Sequence, residues 1–153
     1  MDSFLAWLEA TSVATWTRES PSLWAYPTIL TLHSFGLGIV VGGCAAVDLR
    51  LLGWARSIPT RALQPVFRII WWAFAVNAAS GFLLFIADAT RKAFQPVFLV
   101  KLALIAVALI VTEAIARHIQ RNTSHSTNAR ILAVVSMLLW LGAITAGRLM
   151  AYM

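Results

Sequence analysis

Residues 97–116 read VFLVKLALIAVALIVTEAIA, and this stretch decides the fold. About 20 residues in helical form cross the roughly 30 Å of hydrocarbon in a bilayer. Only Lys101, Thr112 and Glu113 interrupt the apolar run. Stretches near 27–52, 66–87 and 131–151 have the same character. Lipid offers no hydrogen-bond partners, so each stretch must satisfy its backbone internally, as a helix, even where it is rich in Val and Ile. The expected architecture is all-α: an integral membrane four-helix bundle forming a single transmembrane domain over 1–153. The composition agrees. Of 153 residues, 60% are hydrophobic and 12% charged, and the mean hydropathy is +0.79. A soluble domain of this size has about twice the charge and could not hide so much apolar surface.

The connections are short: Ser57-Ile58-Pro59-Thr60 with Pro65, then Gln95-Pro96, then the polar run Asn122 to Asn128. None has room for a second domain. Residues 3–16 carry Phe4, Trp7 and Leu8 at helical spacing, with Trp16, Trp24 and Tyr26 beyond, as expected of an amphipathic segment lying in the membrane interface. Asp2 and Glu9 stand where a signal peptide carries positive charge, so no cleaved leader is expected. The one cysteine, Cys44, excludes an intramolecular disulfide, a CxxC motif and covalent c-type haem attachment. The net charge of +6 does not point to nucleic acid, because the basic residues are scattered between apolar runs.

Their distribution sets an orientation instead. Arg50, Arg56, Arg61, Arg68, Arg117, Arg121 and Arg130 fall at one end of the bundle, against Arg18, Arg91, Lys92 and Arg148 at the other. By the positive-inside rule the first group faces the cytoplasm and both termini face the periplasm.

Ionisable side chains inside a span are costly, so each is a functional candidate. His33 lies six residues past Pro27, about 9 Å into the span, and Lys101 sits at similar depth. Alternating helix directions bring His33, Lys101, Thr145 and Arg148 to one half, with Asp88 at its rim. Asp48, Arg50, Arg68, Glu113 and Arg117 form a second group at the opposite end. On the first span Gly36, Leu37, Val40, Cys44, Val47 and Asp48 share a face with His33. Gly38, Gly42 and Ala46 make a small-residue ridge on the other side, suited to packing within the bundle, to a homo-oligomer seam or to a membrane-protein partner. Asn77, Ser80, Gly81, Leu84 and Asp88 share a face of the second span.

A neutral imidazole at His33 can ligate haem iron or copper, or it can simply bond a backbone carbonyl, Ser34, Thr31 or Thr145. A bis-His haem within one chain lacks its second ligand, since His118 is at the far end and His125 in a loop; Met150 or a symmetry-related His33 would have to supply it. Copper(I) would use His33 with Met150 and Met153. Lys101 and Arg148 either neutralise an anionic group such as haem propionates or snorkel to the interface. No Ser/His/Asp triad, carboxylate pair, phosphate loop or HExxH pattern supports hydrolysis.

Leu32-His33-Ser34-Phe35-Gly36 leading into Val41-Gly42-Gly43, then Phe67-Arg68 with Ser80-Gly81, then Phe98-Leu99-Val100-Lys101-Leu102, resemble successive helices of the copper resistance protein D family of bacterial inner-membrane proteins. The likeness covers three of the four spans and places the family's early-span His on His33 and its third-span Lys on Lys101. Asp48-Leu49-Arg50-Leu51-Leu52-Gly53 and Gly147-Arg148 also resemble a group of small uncharacterised bacterial four-span proteins. This chain departs from the copper-resistance pattern at Ser80, where Thr is usual, and at Ala116-Arg117, where Asn-Arg is usual, and it is much shorter. The resemblance implies a multi-pass inner-membrane protein in copper handling, with a layout similar to membrane b-type cytochromes. Together with the polar residues above, the expectation is copper or haem b at His33, Lys101 and Arg148, serving copper handling or electron transfer. The alternative is a ligand-free accessory or assembly subunit of a larger membrane complex.

Overall fold

A computed structural model describes residues 2–121, 127–150 and 152. Two short helices, α1 (Asp2–Glu9) and α2 (Ser12–Glu19), precede the long α3 (Tyr26–Leu52). A 3-10 turn (Thr60–Leu63) leads into α4 (Gln64–Ile86), and the one-turn α5 (Ala89–Ala93) is followed by α6 (Pro96–Gln120) and α7 (Thr127–Leu149). Among the described residues there is no strand, and four helices are long and apolar enough to cross a membrane: α3, α6, α7 and α4 with its 3-10 lead. The chain is an all-α four-helix bundle with the architecture of a multi-pass membrane protein.

Pro27, Pro65 and Pro96 each fall in the first turn of a long helix. The missing N–H costs nothing there, and the fixed φ favours the helical start. Helix α3 ends at Gly53, whose φ of 107° lets Trp54 N–H reach back to Leu49 O at 3.0 Å. Helix α6 runs one turn beyond its expected end at 116, because Arg117, His118 and Gln120 suit the interface as well as water does.

Helix α3 is the centre of the bundle, packed on α4 and α7, and α6 packs on α7. Helices α4 and α6 meet only thinly, leaving a groove lined by Trp71, Ile110, Arg117 and Arg121 along their seam. The face of α3 read from the sequence is the buried one: Gly36, Val40, Cys44, Val47 and Asp48 all point inward. They meet Phe67, Ile70 and Ala73 of α4, Ala108 and Ile115 of α6, and Ala133 and Trp140 of α7.

The small-residue ridge is not a contact within the bundle. A Cβ at Gly38 or Gly42 would meet nothing within 4 Å, and Ala46 is exposed. Close approach occurs instead at Gly36 and Gly43, seven residues apart on the α4-facing side. A Cβ at Gly36 would lie 3.1 Å from the Ala73 carbonyl and 3.0 Å from Asn77 Cβ. Side chains on the opposite face had no bearing on which glycines α4 covers.

The N-terminal segment is two helices rather than one. Thr11 breaks it, its hydroxyl accepting from Ala14 N–H at the start of α2. Leu5, Ala14 and Thr17 are buried, whereas Phe4, Trp7 and Trp16 stay exposed as interfacial residues do. Helix α1 docks on α5 through Glu9, whose carboxylate accepts from Thr90 N–H and Thr90 Oγ, each at 2.7 Å. These two hydrogen bonds hold Glu9 below its ordinary value of 4.5. Because the folded value is depressed, this docking contribution is present above the ordinary value and is lost as pH falls through the folded one. Amide-exchange protection over 3–19 is therefore expected to fall as the pH is lowered through the folded value of Glu9, below its ordinary one, and Glu9→Gln should show the weakly protected pattern at neutral pH.

Candidate functional site

The site is built from α3 outward. Alternating helix directions bring His33 of α3, Lys101 of α6 and Arg148 of α7 to one end of the bundle. His33 is half-buried, and its Nδ1 lies 2.9 Å from the backbone carbonyl of Asn77 on α4. A carbonyl can only accept, so this contact calls for the proton on Nδ1 and the lone pair on Nε2; Asn77 Nδ2, 3.2 Å from the same nitrogen, is then a close neighbour and not a donor to it. The Asn77 side chain locks the same junction, donating from Nδ2 to the His33 carbonyl at 2.7 Å. Ser80, 3.4 Å from Nδ1, gives its hydrogen to carbonyls of its own helix. Asn77 and Ser80 are both buried.

Of the hydrogen-bond partners open to His33 from sequence, the backbone carbonyl is the one used. Thr31, Ser34 and Thr145 instead bond Pro27 O, Leu30 O and Leu141 O of their own helices. The Cε1–Nδ1 edge of the ring can approach α4 closely because residue 81 is glycine: a Cβ there would stand 2.9 Å from His33 Cε1 and 3.2 Å from Nδ1. Asn77, Ser80 and Gly81 were legible as one face of α4, but their meeting with His33 required the helix pairing.

Lys101 is half-buried, its stem lying across Gly147, with Cε 3.6 Å and Nζ 3.7 Å from the position of a Cβ there. Arg148 is exposed beside it in sequence, Met150 is half-buried past the end of α7, and Met153 lies outside the described residues. Asp88 takes the rim as expected, 4.0 Å from Lys92 Nζ. His118 is at the opposite end, on the groove between α4 and α6. His125 also lies outside the described residues.

Nε2 of His33 has no hydrogen bond to a described residue, which is the state a metal-ligating imidazole needs. Ligating His residues almost always donate the other ring N–H to a carbonyl or carboxylate, as Nδ1 does here. Among the described residues no three His, Cys, Asp or Glu side chains gather to hold a metal ion. A single nitrogen donor would suit haem, which would bring most of its iron's ligands itself, more readily than a copper ion, which would need further donors from the protein.

The second polar group separates into parts. Arg117 pairs with Glu113 at 2.9 Å on the surface of α6. Arg50 turns away to the loop, donating from Nε to Ile58 O at 2.6 Å and from Nη2 to Arg56 O at 3.2 Å. Arg68 is exposed. Asp48 is left alone in the core with Cys44, Thr112 and Ser136 around it. Neither separation was readable from residue order, which fixes depth but not the rotation of one helix against another.

Comparison with known proteins returns no matching family model, no matching curated protein and no matching solved structure.

Proposed function

We propose that this chain is a bacterial inner-membrane protein that holds haem b at the His33 end of its bundle and serves electron transfer. The observation that carries the reading is the His33 imidazole, fixed through Nδ1–H on the Asn77 carbonyl with Nε2 free to ligate. Lys101 and Arg148 supply positive charge at the same end for the propionates. Haem iron, when bound, passes one electron at a time between its ferric and ferrous states. This chain's part would be to hold the His33 imidazole in one tautomer and to neutralise the anionic edge with Lys101 and Arg148. The basic residues at the Arg50 end favour that end in the cytoplasm, placing both termini and His33 on the periplasmic side.

Two other readings share the fold. Copper handling would use His33 with Met150 and Met153 as soft donors. A ligand-free accessory subunit is favoured by the outward face of Gly38, Gly42 and Ala46, open to a second copy or to another membrane protein. The three separate in one preparation. Protein purified in detergent from cells given excess haem and copper is expected to carry iron and a Soret band. Copper without a Soret band would favour copper handling, and neither metal would leave the accessory reading.

A further inference from the structure

The most unusual side chain outside the His33 site is Asp48. It is 1% exposed, and among the described residues neither carboxylate oxygen has a hydrogen-bond partner; Ser136 Oγ beside it also has none there. The small void that Asp48 faces is lined by Cys44 and Val47 of α3, Phe67 of α4, Thr112 and Ile115 of α6 and Ser136 of α7. No space in it admits a water molecule. An ionised carboxylate inside a membrane bundle needs a donor, a cation or water, and its isolation costs many kcal/mol.

None of the packed elements supplies a cation. Helix α4 presents Phe67, α6 presents Thr112 and Ile115, and α7 presents Ser136. On α3 itself the titratable neighbour is the Cys44 thiol, and the Arg50 guanidinium is bonded to the carbonyls of Ile58 and Arg56. Glu113 and Arg117 pair with each other on the surface of α6. Thr112 already gives its hydrogen to Ala108 O.

We propose that Asp48 is a proton-binding site in the membrane core. Its ligand is a proton because a proton needs no room. One carboxylate oxygen forms an O–H bond, no other bond changes, and a small rotation lets that group donate to Ser136 Oγ. Asp48 lies four residues from Leu52, the last residue of α3, about 6 Å along the axis, so protons exchange from the Arg50 end. This site is far from His33 and does not rest on a cofactor being bound there.

Infrared spectroscopy of the purified protein at neutral pH tests it. Glu9, Glu19, Asp88 and Glu113 lie outside the core, and the Asp48→Asn variant assigns a protonated-carboxyl stretch to Asp48. The expected result is one such band, shifted in heavy water, lost in Asp48→Asn and moved to higher frequency in Ser136→Ala. Asp48→Asn, neutral and of the same shape, should melt within a few degrees of the wild type. Absence of the band in the wild type, or its persistence in Asp48→Asn, overturns the proposal. So does a melting temperature that rises with sodium but not with choline at equal ionic strength, which would make the ligand an alkali cation. If Asp48→Asn does not fold, the wild-type band and its movement in Ser136→Ala decide.

Discussion

If haem is held as proposed, His33→Ala is expected to strip it from the purified protein, while His118→Ala retains it in full. The first removes an imidazole whose Nδ1–H is fixed on Asn77 O and whose Nε2 bonds no described residue; the second alters the opposite end of the bundle. Gly81→Ala is the sharper variant. Its methyl group would stand 2.9 Å from His33 Cε1, so the ring must swing off α4 and give up its hydrogen bond, yet the atom that moves is the end of a side chain and the helices need not part. Loss of such an orienting partner costs about 10–100-fold in metal affinity. Retention is therefore expected to fall by that factor with yield and melting temperature close to the wild type. Lys101→Met should weaken binding less, since it removes charge and leaves the ligand. The order His33→Ala, Gly81→Ala, Lys101→Met, His118→Ala in binding, read by the Soret absorbance per protein, separates a ligand from a packing histidine. Equal binding by all four would leave His33 as a helix-packing residue only.

The second large effect is on the fold. At Gly36 the neighbours of a new Cβ are the Ala73 carbonyl at 3.1 Å and the Asn77 backbone nitrogen at 3.1 Å. Backbone cannot yield as a side chain can, so Gly36→Leu must push α3 from α4 and break the His33–Asn77 junction with it. A loss of about 3 kcal/mol is expected, as for severe overpacking, with a clear fall in melting temperature in detergent. Gly42→Leu, whose side chain enters open space on the outer face, should leave monomer stability unchanged. If Gly42→Leu alters the oligomer size instead, the ridge is a seam between copies.

These glycines show where sequence reasoning stopped. The four spans were legible because bilayer thickness imposes a length and forbids unpaired backbone, so apolar runs of about 20 residues leave one solution. The buried face of α3 was also legible, since 100° per residue ties Val40, Cys44, Val47 and Asp48 to His33. Gly38 and Gly42 match the familiar small-residue spacing, yet the contact falls at Gly36 and Gly43, because spacing shows that a helix can approach and not which side it comes from. His33 was marked by its depth, while its partner was not: a backbone carbonyl, Ser34, Thr31 and Thr145 were equally within reach until α3 and α4 were paired. Asp48 and Arg50, two residues apart, looked like members of one charged group. They point into different surroundings, one into the core and the other to the loop carbonyls.

The measurement closest to the central claim is electron spin resonance of the ferric, haem-loaded protein prepared with 15N-labelled histidine. A hyperfine coupling from a labelled imidazole nitrogen to the iron is predicted in the wild type and in His118→Ala, and its loss in His33→Ala. A loaded wild type with no such coupling, or a coupling that survives in His33→Ala, would contradict the assignment of His33 Nε2 as the ligand.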